Sequence, residues 1–214
     1  MGNDLDLLTI TYYRKKDEIQ KRLSDFKEVL NGSDERVFAE LAFCLCTPQS
    51  KATTCWEVVL SLMRNRLLFE GSEGQIRSFL NAIRFGDNKA RYIVNARSLF
   101  TKNGSMRVKE RVLSPDDPFS LREWLVKNVL GMGMKEASHF LRNIGLGSNL
   151  AILDRHILKN LKKYGVIEEV PKSMTKKTYL DIENKMRDFS NKIGIPMDEL
   201  DLLFWSEETG MVFK

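Results

Sequence analysis

The sequence predicts an all-α protein built as two helical lobes. Apolar residues recur at three- and four-residue spacing along most of the chain, the period of a helix with one buried face. Alternating β-branched runs, the mark of strands, are nearly missing. Only five prolines interrupt 214 residues, and Gly, Asn, Ser and Asp stand where helices must stop and start.

Leu8, Ile10, Tyr13, Ile19, Leu23, Phe26 and Leu30 predict a first helix over 5–30, ended by Asn31-Gly32. Ser33-Asp34 caps an apolar helix over 35–46 that breaks at Thr47-Pro48. A helix over 50–64 follows, with Ser50 as its predicted cap. Residues 76–83 form a short helix, and Gly86-Asp87 leads into another over 88–100. The polar stretch 101–117, with Gly104 and a Ser-Pro-Asp-Asp-Pro turn, reads as a loop. Amphipathic spacing resumes over 119–129. Leu130-Gly131-Met132-Gly133 then turns the chain into a helix that ends at Ile144, before a stop at Gly145–Asn149. Asp154 caps a helix closed by Gly165, and helices over 175–193 and 197–205 complete roughly ten.

Composition bounds the function. Thirty-four Lys+Arg against twenty-nine Asp+Glu leave a net charge of +5, which favours anionic partners without specifying one. Cys44, Cys46 and Cys55 are odd in number, crowd one apolar stretch and lack Cys-x-x-Cys spacing. They read as reduced core thiols, not metal ligands. No leader, long apolar run or lipidation signal is visible, so the expectation is a soluble, cytoplasmic protein without a membrane partner.

Chemistry concentrates at Gly131-Met132-Gly133-Met134-Lys135 and at Asp154, nineteen positions further on. Glycines permit positive φ and leave backbone N–H groups uncovered, and the dipole of the following helix points at the same spot. Gly131 and Gly133 therefore offer a site for an anion such as a DNA phosphate. Lys135 stands in the first helical turn, where the dipole disfavours a cation. Facing a cleft, it has reason to lose its charge and act as a nucleophile. Pairing with Glu136, or pointing into water, is the simpler alternative. Asp154 as an N-cap is held ionised, and capping alone is its simpler alternative.

These two segments resemble the helix-hairpin-helix DNA glycosylase superfamily. Its bifunctional members carry a lysine two positions after the Gly-x-Gly turn. Their aspartate comes about nineteen residues later, in an Asp-x-His context, matched here by Leu153-Asp154-Arg155-His156-Ile157. Thr47-Pro48-Gln49-Ser50 is similar to the loop that inserts into the duplex. The C-terminal cysteine cluster of endonuclease III-like members is missing, and so is the β-rich N-terminal domain of the eukaryotic-type enzymes. The remaining resemblance is to the short all-helical 8-oxoguanine DNA glycosylase/AP lyases, which end on a docked tail with a terminal lysine, as Met211-Val212-Phe213-Lys214 does.

The resemblance implies base-excision repair of double-stranded DNA containing 8-oxoguanine, through a Schiff base on Lys135 and β-elimination. Asp154 would assist departure of the base. Gly131, Gly133, Gln49 and His156 would bind DNA, with Gln49 as the wedge. The Lys214 carboxylate would accept from N7–H of the lesion, a hydrogen that guanine lacks. Trp205 and, more weakly, Phe85 would stack on the extruded base. No organic cofactor or catalytic metal is implied; a monovalent cation at the hairpin turn is allowed. The expected lobes are 34–148, including the hairpin at 121–144, and 1–33 with 149–214. A monomer is expected. The alternatives are a glycosylase/lyase for oxidised pyrimidines, a non-enzymatic DNA-binding module and a basic helical scaffold. The run Lys159, Lys162, Lys163, Lys172, Lys176 and Lys177 offers phosphate contacts, although such runs are usually solvated faces.

Overall fold

The computed structural model describes residues 2–114 and 117–214, with side chains from Asp4 onward. Part of the predicted Ser-Pro-Asp-Asp-Pro turn, at 115–116, lies outside the described residues. Helix α1 runs Gly2–Glu28 and tightens into a 3-10 turn at Val29–Asn31. Ser33 accepts from the Arg36 amide and starts α2, Asp34–Cys46, as its cap chemistry dictates. Then come α3 (Ala52–Arg64), α4 (Leu67–Glu70) and α5 (Glu73–Phe79), the last opened by a Ser72/Gln75 capping box. Helix α6 spans Gly86–Phe100. Beyond it lie α7 (Val108–Val112), α8 (Pro118–Asn128), α9 (Met134–Asn143), α10 (Arg155–Lys163), α11 (Lys176–Ile193) and α12 (Met197–Thr209).

Three local expectations are corrected. Ser50 does not cap α3; Lys51 precedes that helix without a side-chain bond, because the Ser50 hydroxyl is engaged elsewhere. The helix expected over 76–83 begins and ends earlier, at the Ser72 cap. The polar stretch 101–117 is not a plain loop: Thr101–Lys102 pairs antiparallel with Ser105–Met106, and α7 follows. Helix α4 escaped notice because a single turn has no period to read.

Buried side chains fall into two groups. One gathers residues from Val29 to Leu150, with Phe38, Phe43, Leu62 and Phe140 at its centre. The other joins Leu8, Ile19 and Phe26 of α1 to residues from Ala151 to Val212. The chain passes from the first group to the second in the extended segment 150–154, which ends at Asp154. Both sides hold that segment. The Arg122 guanidinium of α8 pairs with Glu183 of α11 at 2.6 and 2.9 Å, and Glu183 accepts from the Ala151 amide at 2.8 Å. The Tyr179 hydroxyl donates to the Ala151 carbonyl at 2.5 Å and accepts from the Leu153 amide. Among the described residues no helix is long and apolar enough to cross a membrane.

Candidate active site

Helices α8 and α9 form the expected hairpin. Gly131 stands at φ 82°, in the left-handed region. A Cβ there would lie 2.2 Å from Cδ2 of Tyr92, so ring and conformation together demand glycine. Tyr92 was not anticipated from the sequence. The amides of Met134, Lys135 and Glu136, the open end of α9, donate to no carbonyl or side chain among the described residues. They are the unpaired donors that every helix start leaves.

Lys135 stands in the first turn of α9, its side chain 27% exposed, with Nζ 2.9 Å from Glu136 Oε1. The simpler pairing is therefore present. The other oxygen of Glu136 accepts from the Gly133 amide at 3.2 Å, half of a capping box. Glu136 thus binds both the turn and the lysine. Asp154 caps α10, its Oδ1 accepting from the His156 and Ile157 amides at 2.8 and 2.9 Å. The same oxygen takes both bonds, which leaves the second carboxylate oxygen outside the cap.

The C-terminal tail docks. Val212 is buried, Phe213 packs across Phe43 and Trp205, and Lys214 is only 7% exposed. Met211, at the start of the tail, is exposed. The Lys214 ammonium pairs with Glu40 and lies 3.5 Å above the ring centre of Trp56. Glu40 is fully buried and also accepts from Asn143 at 3.1 Å. Burial lowers the Lys214 ammonium to about 8 despite the Glu40 charge. Its backbone bonds to His139 of α9. That histidine is held well below its ordinary value by burial, then by the charges of Arg142, Lys135 and Lys214, so it is neutral. Arg142, one turn on, approaches Asp201 of α12 at 3.4 Å. Burial pushes Asp201 up to about 7 against the pull of Arg142, and the Asp154 charge adds to the rise. One face of α9 therefore carries Lys135, His139 and Arg142. Lys214 and Asp201 pack against that face, with Asp154 within electrostatic reach of Asp201.

The remaining expected residues are more scattered. Gln49 is exposed, with positive φ at 55°, and Phe85 is 51% exposed at φ 59°. Trp205 is half-buried against Phe213. His156 accepts from the Arg155 guanidinium at 3.3 Å and lies 3.8 Å from Glu208. Lys159, Lys163 and Lys176 of the basic run are paired with Glu208, Glu207 and Glu123, which blunts that face as a phosphate surface. No role for Glu40, Lys89 or Asp201 was read from the sequence. The available signal for Glu40 was a lone charge within the apolar run 37–46.

A tight turn that opens a helix on uncovered amides, with a lysine in that helix's first turn, defines a helix-hairpin-helix protein. The chain belongs to the 8-oxoguanine DNA glycosylase family, whose sequence model matches residues 19–195. It is 46% identical over 204 residues to an 8-oxoguanine DNA glycosylase/AP lyase of Fusobacterium nucleatum, covering 95% of this chain and 94% of that one. The crystal structure of the Thermotoga maritima 8-oxoguanine DNA glycosylase superposes with a TM-score of 0.85 at 33% identity, covering all of both chains. The Methanocaldococcus jannaschii enzyme in complex with a 15mer DNA containing 8-oxoguanine gives 0.87 at 35% identity, over 97% of this chain and 99% of that one.

Proposed function

We propose that this chain excises 8-oxoguanine from double-stranded DNA and then cuts the strand at the resulting abasic site. The placement of Lys135 carries the reading: a lysine leads α9 directly out of the Gly131–Gly133 turn, and the C-terminal residue docks on the same helix. The target nucleotide leaves the base stack before reaction. Lys135 Nζ, freed of a proton, attacks C1′ while the bond from C1′ to the base breaks. Glu136 lies within proton-transfer distance of the ammonium. The oxygen of Asp154 outside the cap stabilises positive charge on the sugar. The covalent amine opens the sugar by breaking C1′–O4′, with O4′ taking a proton, to give a Schiff base. Loss of a 2′ proton then breaks C3′–O3′ and expels the 3′ phosphate, and water hydrolyses the imine to release the enzyme.

Gly131, Gly133 and the open amides of α9 hold a phosphate, and His156 reaches another. The Lys214 carboxylate accepts from N7–H, with Trp205 stacking on the base and Phe85 a weaker second face. Gln49 enters the duplex beside the orphaned partner. No organic cofactor is required. The Leu130, Gly131 and Met132 carbonyls accept no hydrogen bond among the described residues, a neutral oxygen set suited to a monovalent cation. The enzyme acts as a monomer in a reducing, intracellular compartment, where the three buried thiols stay free.

Borohydride reduction tests the reading. The chain should be trapped on an 8-oxoguanine duplex, and Lys135→Gln should leave no cross-link. Trapping that survives the substitution would remove Lys135 from the role.

A further inference from the structure

Four residues other than glycine have positive φ among those described: Gln49, Arg66, Phe85 and Asn103. Side-chain-bearing residues stay in that region only where their surroundings hold them. Arg66 is held by Glu35 and Glu70, and Asn103 forms the hairpin turn with Gly104. Gln49 is the third residue of a turn closed by the Ser50 amide on the Thr47 carbonyl at 3.0 Å, and Phe85 is the residue that opens α6. Among the described residues the Gln49 side chain makes no hydrogen bond, and the Arg84 guanidinium lies 5.6 Å from the centre of the Phe85 ring. Both are exposed.

One residue bonds to both turns. Lys89, in the first turns of α6, is 3% exposed. Its backbone amide donates to the Phe85 carbonyl at 3.0 Å. Its ammonium donates to the Cys46 carbonyl at 2.6 Å, the Pro48 carbonyl at 2.8 Å and the Ser50 hydroxyl at 3.0 Å, on both sides of Gln49. Ser50 Oγ in turn accepts from the Arg84 amide at 3.1 Å, which closes the bridge back to Phe85. No carboxylate among the described residues pairs with this buried cation. Three neutral acceptors, with the nearest helpful charge on Glu136 and not in contact, are a costly way to bury an ammonium, and a core staple needs no charge. Lys135 lies within electrostatic reach, so the bridge stands near the proposed nucleophile.

We propose that Lys89 is a positioning residue that fixes Gln49 and Phe85 as one rigid pair pressed into the duplex at the lesion, and so sets how well the extruded nucleotide is held. This rests on the reading of the chain as a glycosylase acting on duplex DNA. A wedge keeps a nucleotide out of the stack only if it does not yield under load, and side chains on two separate turns need a common anchor to share it. An ammonium with three fixed acceptors supplies one.

The test compares single-turnover excision on an 8-oxoguanine duplex with strand cleavage at an abasic site in single-stranded DNA, which needs no extrusion. Fluorescence of 2-aminopurine beside the lesion reports unstacking. Lys89→Met should lower duplex excision about tenfold relative to single-strand cleavage, the scale of lost charged hydrogen bonds, and should quench the fluorescence rise. Ser50→Ala removes one arm of the bridge without stranding the cation, so it keeps the test open if Lys89→Met folds poorly; it should shift the same ratio in the same direction by less. In a chain already carrying Gln49→Ala and Phe85→Ala, Lys89→Met should add nothing further. Equal loss on both substrates, or full additivity in that background, would overturn the proposal and leave Lys89 a structural staple. A parent chain that trapped on no duplex would instead overturn the glycosylase reading itself.

Discussion

Lys135 and Lys214 are held in opposite ways. Lys135 is about a quarter exposed, and its counter-ion is the next residue in the chain. Lys214 is buried, and its counter-ion Glu40 lies 174 positions away. A lysine with a short, half-solvated tether can leave its partner and reach a substrate atom. A lysine whose ammonium is enclosed by Glu40 and the Trp56 ring cannot, and its use is to anchor. In Lys214 the side chain is the foundation, and on the reading proposed above its carboxylate is the group that meets the base. One residue type is thus free to act in one place and fixed as mortar in the other, and the surroundings decide which.

The largest expected effect breaks the symmetry between them. Lys135→Gln should abolish imine trapping and strand cleavage. Lys214→Met should leave trapping at a preformed abasic site intact while discrimination between 8-oxoguanine and guanine falls by about tenfold or more, as the carboxylate loses its fixed position. Parallel excision and trapping assays on the two substrates check both halves. If Lys214→Met also ended trapping at abasic sites, the tail would be part of the reaction machinery and the contrast would fail.

Asp154 asks the same question of a carboxylate. Asparagine caps a helix about as well as aspartate, so Asp154→Asn should leave the melting temperature nearly unchanged. Excision should nevertheless fall on the order of 10²–10⁴-fold if the free oxygen works on the sugar. Unchanged excision would reduce Asp154 to a cap.

The next contrast concerns the two partners. Glu40→Gln strands a buried ammonium, a change that costs about 3–5 kcal/mol when a buried pair is broken. Glu136→Gln touches a partly solvated pair and keeps a side chain able to accept from the Gly133 amide, so it should cost no more than about 1 kcal/mol. Urea denaturation of the two variants measures both numbers. Similar losses would mean that burial does not separate the two lysines after all.

What could be read in the sequence follows the same division. Ser33, Asp154 and the Gly131 turn act on backbone groups within three residues, so their roles follow from local rules, and the helices they bound lie where expected. Ser50 shows the limit. Its cap signal was sound by those rules, but Lys89, 39 positions on, and the Arg84 amide claim the hydroxyl. The same holds for Glu40 with Lys214 and Arg142 with Asp201, whose partners meet only after α2, α9 and α12 have packed. The resemblance supplied a docked terminal lysine, but nothing in the spacing of residues could say what its ammonium holds.

The last effect is a pH dependence, and its sign is specific. An unfolded lysine keeps its proton to 10.5, whereas Lys214 in the folded chain releases it near 8. Below 8 both states hold the proton and the group adds no slope. Between 8 and 10.5 the unfolded state binds more protons, so this group makes the fold more stable as pH rises, by at most on the order of 3 kcal/mol. The Glu40 ion pair is lost over the same range, but burial, the larger influence, is relieved. The stability of the parent chain relative to Lys214→Met should therefore grow from pH 8 to 10.5, with other titrating groups cancelling in the difference. A difference that stayed flat would mean that the ammonium keeps its contact with water. Lys214 would then be held no more firmly than Lys135, and its carboxylate would have no fixed place from which to read a base.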